Sequence, residues 1–397
     1  MILTNKQQEG LKIAIQRYKD HEPYTVISGY AGSGKSTLIK FIISALGLED
    51  DEVAYIAYTG KAAQVLKQKG CPNAETAHKL LYKAVRLPSG NFNFTAKLTL
   101  DNNKLKIIVV DEVSMLPKTM WDLLLRHRVY VLATGDPGQL PPINKEDDNH
   151  VLDKPHIFLD EIMRQAQESE IIRLSMHIRE GRSLATFKDY ENKQVRIVDK
   201  GQVVTGMYDW ADQIICATNR KRNELNNTIR ALKGYGPEPT VNDKIISLNN
   251  HWDFLSNDNS SVLTNGSIGS IEWSQKQSMY IPAYISDKRY MSVLYSNIIT
   301  EDGSKFNSVP IDYTLLTTGE KLLTPQQEYK LLKNKKCVDP PFEFAYGYAI
   351  TGHKSQGSEW NKVLAFEEYF PTSIEEHKRW LYTVVTRASD KLVVVKK

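Results

Sequence analysis

Gly29-Tyr30-Ala31-Gly32-Ser33-Gly34-Lys35-Ser36 matches G-x-x-x-x-G-K-[ST] at every defined position. Its flanks supply the context that the pattern alone lacks. Tyr24-Thr25-Val26-Ile27-Ser28 ahead of it is a short β-prone run. Thr37-Leu38-Ile39-Lys40-Phe41-Ile42-Ile43 behind it has the spacing of a half-buried helix. Strand, glycine loop and helix start together make an anion cradle. The glycines let successive backbone N–H groups converge on a phosphate, and the helix dipole adds partial positive charge. The phosphate contacts fall to Gly29, Ala31, Gly32, Ser33, Gly34, Lys35, Ser36 and Thr37, with Lys35 reaching the outer phosphates and Ser36 offering its hydroxyl to Mg²⁺. A Gly/Ser-rich turn of no function is the bland alternative, and the readable strand and helix argue against it. The pattern implies a nucleoside triphosphate.

Carboxylates follow at the right kind of place. Lys106-Ile107-Ile108-Val109-Val110-Asp111-Glu112 reads as a buried parallel strand that delivers two acids at its C-terminal end, where ligands sit in an open α/β sheet. Asp111 suits the Mg²⁺ shell, and Glu112 suits orienting or deprotonating the attacking water. Val129–Thr134 is a similar strand and runs into Gly135-Asp136-Pro137-Gly138-Gln139-Leu140-Pro141-Pro142. There Gln139 is placed to sense the γ-phosphate, and the stiff Pro-Pro segment to pass movement on.

Other positions carry two readings each. Gln7, on a helix capped by Thr4, has an amide that fits an adenine edge; on sequence alone a solvated helix start is the preferred reading. Thr59 and Lys61 open a helix after the strand Val53–Ala57, and Thr76 and His78 repeat the pattern at the next helix. Such positions can grip a second anion, such as a nucleic-acid phosphate, or simply cap the helix.

The 397 residues exceed one compact core and call for two or three domains. With 41% hydrophobic and 25% charged residues the composition is that of an ordinary globular protein, and a net charge of +4 permits a polyanionic partner. Cys71, Cys216 and Cys337 are scattered, without CxxC spacing, which argues for a reducing compartment, no disulfide framework and no zinc. No apolar run approaches a membrane span and no signal-peptide pattern opens the chain, so a cytoplasmic protein without a membrane partner is expected.

Strand–helix alternation makes the first domain a parallel sheet covered by helices. Turn residues and alternating aromatics at Arg86–Phe94 read as an inserted β-hairpin. A second α/β layer without a P-loop follows, including Asp212–Ala217 and Thr218-Asn219-Arg220. From about Thr240 to Cys337 short strands and Asn/Asp/Ser/Gly turns read as a small all-β barrel. The α/β pattern returns at Ala345–Ile350, continues through Thr351-Gly352-His353-Lys354-Ser355-Gln356-Gly357, and ends in Leu381-Tyr382-Thr383-Val384-Val385-Thr386-Arg387 on a helix.

Taken in order, the P-loop, Val109-Val110-Asp111-Glu112, the Gly135–Pro142 segment, the Thr351–Gly357 turn and the Tyr382–Arg387 helix resemble the motifs of superfamily 1 helicases, specifically the RecD-like and phage Dda-like group. The resemblance covers essentially the whole chain. It implies an α/β architecture of two RecA-like parallel-sheet domains with an inserted β-hairpin pin and an SH3-like all-β subdomain. The expected bounds are 1–153 for the first domain (hairpin at about 84–104), 154–239 with 341–397 for the second, and 240–340 for the subdomain. It implies ATP and Mg²⁺ as ligands, with Gln7 and Gly357 among the nucleotide contacts and Arg164 and Arg387 as arginine fingers. It implies that single-stranded DNA runs along Thr59, Lys61, Thr76, His78, Asn219, Thr351, His353 and Lys354, with Phe92 and Phe94 on the strand-separating pin. The activity implied is ATP-dependent 5′-to-3′ unwinding by a monomer at DNA forks, beside single-strand-binding or replication proteins. Tyr58 departs from the family pattern, which usually has Pro there. The short N-terminus favours a free-standing phage- or plasmid-type motor. Two rivals stand beside this reading: an ATP-switched protein that holds or strips single strands without unwinding, and a P-loop kinase. The kinase leaves the second α/β half and both arginines without a role.

Overall fold

The computed structural model describes residues 3–71, 73–86, 92–141, 148–163, 168–188, 193–258, 261–333, 340–369 and 373–397. The chain divides into two compact units. One holds residues 1–82, 96–218 and 351–397, and the other holds 83–95 and 219–350.

The first unit is built on parallel sheets. Its six-stranded sheet runs Glu75–Thr76, Val53–Ala57, Ile107–Val110, Tyr130–Gly135, Tyr24–Gly29, Ile157–Leu159, every neighbouring pair parallel. A strand covered on both faces needs apolar side chains on both sides of its pleat. Ile107-Ile108-Val109-Val110 meets that need. Ile108 and Val110 pack with Val26, Ile56, Leu81, Trp121 and Val131 on one face. Ile107 and Val109 pack with Ile27, Leu38, Ile42 and Leu132 on the other. Each such side chain contributes roughly 1.5–3 kcal/mol by burial, so a charge at Val110 would unseat the strand that carries both acids.

Ile157–Leu159 pairs with the P-loop strand, Ile27 opposite Ile157 and Gly29 opposite Leu159. The expected boundary at 153/154 is therefore corrected, because the first sheet extends to Leu159. The second sheet sets Gln213–Cys216, Trp360–Phe366, Ala388–Lys396 and Val195–Asp199 side by side, again parallel. Helix Ile374–Val385 is opened by Ser373, whose hydroxyl accepts from the Glu376 N–H. It ends two residues before Arg387, which lies in the short link to the last strand rather than on the helix.

The second unit is antiparallel. Lys305–Asp312, Tyr290–Thr300, Ile268–Tyr280, Lys244–Ser247 and Phe344–Tyr346 form a five-stranded sheet around Ile245, Ile271, Leu294, Phe306 and Ile311. It is not all-β, since helices Tyr313–Thr318 and Pro325–Lys333 fall within 240–340. The Asp312 carboxylate caps the first of these by accepting from the Leu315 N–H at 3.0 Å. Arg230 is buried and paired bidentately with Asp243, at 2.9 and 3.0 Å. Tyr82–Arg86 and Phe92–Ala96 form a separate two-stranded sheet at the expected hairpin, which ends by Ala96 and not near 104. Its turn and the side chains of Phe92 and Phe94 lie outside what is described. No helix among the described residues is long and apolar enough to cross a membrane.

Candidate ATP site and nucleic-acid interface

The P-loop folds as its glycines require. Gly32 and Gly34 take φ of +77° and +80°, conformations costly for any residue with a Cβ. Helix Lys35–Leu46 begins at Gly34 with no side chain capping it, which leaves its first N–H groups for an anion. The Lys35 ammonium donates to the carbonyls of Gly29 at 2.6 Å and Tyr30 at 3.2 Å. Ser33 Oγ is buried without a hydrogen-bond partner among the described residues. Uncapped N–H groups, a folded-back ammonium and an orphaned hydroxyl fit a phosphate chain.

Gln7 is not the solvated helix start weighed from sequence, being only 1% exposed. Its Oε1 accepts from the Thr4 N–H at 3.1 Å and its Nε2 donates to the Ser33 carbonyl at 3.2 Å. The first helix thus braces the P-loop through both ends of one amide.

The acids sit one strand away. Thr134, on the strand between the P-loop strand and Ile107–Val110, donates to Asp111 Oδ1 at 3.0 Å. That bond aims the carboxylate; Asp111 and the exposed Ser36 are both hard-oxygen donors, of the kind that suits Mg²⁺. Glu112 adopts φ +51°, a left-handed conformation that costs a non-glycine residue about 1 kcal/mol or more. Burial pushes its carboxyl above the ordinary glutamate range. Asp111 and Asp136 push the same way, while the charges of Arg387 and Lys35 pull it back. Gln139, on the segment that follows the strand Tyr130–Gly135, has its Oε1 buried and unpartnered among the described residues.

Arg387, in the link that leads into the last strand of the second sheet, is 7% exposed. Its guanidinium donates to the carbonyls of Thr383 at 3.0 Å and Ser358 at 3.1 Å, which fixes it where its charge acts on Glu112. Gly357 has φ +70°, and a Cβ there would fall 2.8 Å from Ala62 Cβ and 3.3 Å from Glu112 Oε2. The turn that carries it is therefore packed against Glu112. Arg164 lies outside the described residues, as do Pro142 and Cys337.

Several contacts here were not singled out by sequence. The Tyr382 hydroxyl bridges Ala31 and Asp136, Gln356 Nε2 donates to the Leu140 carbonyl at 2.8 Å, and Arg179 lies over the Tyr30 ring at 3.7 Å. Tyr382 and Gln356 each carried a signal, their places in the motifs that hold Arg387 and Gly357, and Arg179 carried none.

At the expected DNA positions the capping reading is the one whose bonds are seen. Thr59 Oγ1 accepts from the Ala62 N–H and Thr76 Oγ1 from the Lys79 N–H, both at 3.2 Å. A hydroxyl that accepts keeps its own proton for a phosphate, so capping and binding are compatible. His78 lies between the rings of Tyr58 and Tyr82, at 5.7 and 5.9 Å, and burial pushes its pKa down to about 4. It would meet DNA as a neutral ring. Thr351 is buried, His353 and Lys354 are half-exposed on the turn leading to Gly357, and burial lowers the His353 pKa. Asn219 is exposed. The two N–H groups just before it, Thr218 and Ala217, are taken by the Glu368 carboxylate at 3.0 and 2.6 Å, which already fills the anion position there.

Comparison with known proteins places this geometry. Residues 3–200 match the AAA domain family, and residues 346–395 match the UvrD-like helicase C-terminal domain. The ATP-dependent DNA helicase Dda of phage T4 is 30% identical over 145 residues, 36% of this chain and 33% of its own length. The ATP-dependent RecD2 DNA helicase of Deinococcus radiodurans is 25% identical over 92% of this chain and 46% of its own. The chain belongs to superfamily 1, in the group of Dda, RecD and Pif1. An uncharacterized mimivirus protein matches more evenly, 24% identical over 92% of this chain and 93% of its own. This superfamily 1 chain thus spans a third to a half of the helicases Dda and RecD2. Among solved structures, Pif1 from Candida albicans superposes with a TM-score of 0.52 at 18% identity, covering 100% of this chain and 94% of that one. Bacteroides Pif1, solved with ADP-AlF3 and single-stranded DNA, gives 0.53 at 16% identity, covering 99% and 92%. Those likenesses speak to the fold.

Proposed function

We propose that the chain is an ATP-dependent DNA helicase that moves 5′-to-3′ along single-stranded DNA and unwinds duplex. The observation that carries the reading is Arg387. A buried guanidinium from a second parallel sheet, which has no P-loop of its own, is held where its charge reaches the acid of the first. A P-loop kinase needs one nucleotide domain and an acceptor pocket, and leaves the second parallel sheet without a role. The relatives named as ATP-dependent DNA helicases support the same reading.

In the cycle we infer, Lys35 leaves the Gly29 and Tyr30 carbonyls for the phosphates. Ser36 and Asp111 would hold Mg²⁺, which when bound neutralises phosphate charge. Glu112 takes a proton from the attacking water, Gln139 orients that water, and Arg387 with Arg164 meets the charge that develops in transit. Thr59, Lys61, Thr76 and His78, at the two helix starts that follow strands of the first sheet, with Asn219, Thr351, His353 and Lys354, grip the strand. Opening one base-pair step costs about 1.4 kcal/mol of stacking on average, within reach of one hydrolysis. The 240–340 region is an SH3-like subdomain in this reading, and the protein acts in the cytoplasm.

Polarity is tested on forked duplexes carrying a single 5′ or 3′ tail. We expect displacement with MgATP from the 5′-tailed substrate alone; efficient unwinding from a 3′ tail contradicts the direction but not the ATPase.

The hairpin serves as the separating pin in this reading, with Phe92 or Phe94 stacking on the end base pair. Base–aromatic stacking is worth roughly 1–3 kcal/mol, comparable with the cost of opening a step. Replacing both by Ala should leave DNA-stimulated ATPase intact while unwinding slows about tenfold. Unwinding at the wild-type rate in a stable double variant removes the pin role, and a joint fall of stability and ATPase assigns both rings to packing.

A further inference from the structure

Tyr382 sits on helix Ile374–Val385 and is 1% exposed. Its hydroxyl accepts a hydrogen bond from the Ala31 N–H at 2.9 Å and donates one to Asp136 Oδ2 at 2.7 Å. Ala31 belongs to the P-loop. Asp136 opens the segment that leads to Gln139, and its other oxygen accepts from the Gly138 N–H at 2.9 Å. The tyrosine ring lies so close that a Cβ on Gly138 would stand 3.0 Å from Cε1. The neighbouring Thr383 extends the link in both directions. Its Oγ1 accepts from the Leu140 N–H at 2.9 Å and its carbonyl accepts from Arg387 Nε at 3.0 Å. One helix of the second sheet therefore holds the P-loop, the Asp136–Leu140 segment and the arginine at once.

A phenol hydroxyl has one proton, and here Asp136 takes it. Burial and the Asp136 charge keep the phenol well above its ordinary pKa, so it stays a donor at any working pH. A phosphate arriving in the P-loop competes with the hydroxyl for the Ala31 N–H, because both are acceptors. Occupancy of the loop and the bonding of Tyr382 are thereby linked.

We propose that Tyr382 is a positioning residue whose hydroxyl relays P-loop occupancy to the Asp136–Leu140 segment and, through Thr383, to Arg387. This rests on the ATPase reading above. The role is orientation within the closed site and not general binding of nucleotide.

The test is steady-state ATP hydrolysis with saturating single-stranded oligonucleotide for wild type, Tyr382→Phe, Asp136→Asn and the double variant. Phe keeps the ring against Gly138 and removes only the hydroxyl. Asn replaces the acceptor of its proton by a donor and can still close the turn on Gly138. We expect kcat to fall about tenfold or more in each single variant, the size of one hydrogen bond to a charged group, with KM for ATP changed less than about threefold. The double variant should be no slower than the slower single one, since both cut the same link. Wild-type kcat in Tyr382→Phe overturns the proposal, and so do additive losses or a loss confined to KM. If Tyr382→Phe does not fold, Asp136→Asn decides by the same kcat criterion. An inactive wild type is a different result, which removes the ATPase reading along with the relay.

Discussion

Glu112→Gln is expected to bind MgATP nearly as wild type does and to hydrolyse it 10²–10⁴ times more slowly, the contribution typical of a positioned general base. The substitution is nearly isosteric. It removes the carboxylate and leaves the left-handed backbone at φ +51° as it is, so the loss measures chemistry rather than folding. A pH signature accompanies it. The base must be ionised to work, and burial holds this carboxyl above the ordinary glutamate range. Wild-type turnover should therefore decline with falling pH from a point above that range. The residual activity of the variant should lack this limb. Near-normal turnover in Glu112→Gln removes the residue from catalysis. An unchanged acid limb in a slow variant assigns the limb to another group.

Arg387→Ala is the second large effect. A guanidinium that meets charge developing on the transferred phosphoryl group is worth about 10³–10⁵ in turnover, so we expect a loss of at least 10³ with ATP affinity weakened far less. The same change withdraws a charge that pulls the Glu112 pKa down. Whatever activity survives should accordingly show its acid limb moved to higher pH. The side chain also satisfies the carbonyls of Thr383 and Ser358, and its removal leaves buried acceptors unpaired. Thermal unfolding must be measured beside turnover. A variant that melts far below wild type and loses nucleotide binding as fast as turnover assigns Arg387 to structure.

The parts of this site that were legible in the sequence are local ones. The P-loop is a contiguous pattern whose glycines must adopt positive φ, and Ile107–Val110 is a contiguous apolar run with acids at its end. What escaped reading depends on distance along the chain. Gln7 meets Ser33, 26 residues away, and no spacing rule distinguishes such a glutamine from a solvated one. Ile157–Leu159 is three residues long and alternates buried, exposed, buried, but its exposed position holds Phe158, 43% exposed, so the sequence shows neither the length nor the apolar–polar alternation of a half-buried strand. Tyr382 looks like any aromatic on the buried face of a helix until its partner, 246 residues upstream, is seen. Helix Tyr313–Thr318 is a different kind of miss. Asp312 before it and Gly319 after it, at φ +78°, are ordinary start and stop signals that the surrounding strand pattern masked.

If ATP hydrolysis at this site is coupled to movement on DNA, phosphate release measured with and without single-stranded DNA shows it most directly. Purified protein with MgATP should release phosphate slowly alone and at least tenfold faster when a long oligonucleotide is added, because gripping the strand completes the site. Lys35→Ala should bind the same oligonucleotide and release essentially none. Phosphate release that is indifferent to DNA, from a protein that demonstrably binds it, would contradict that coupling.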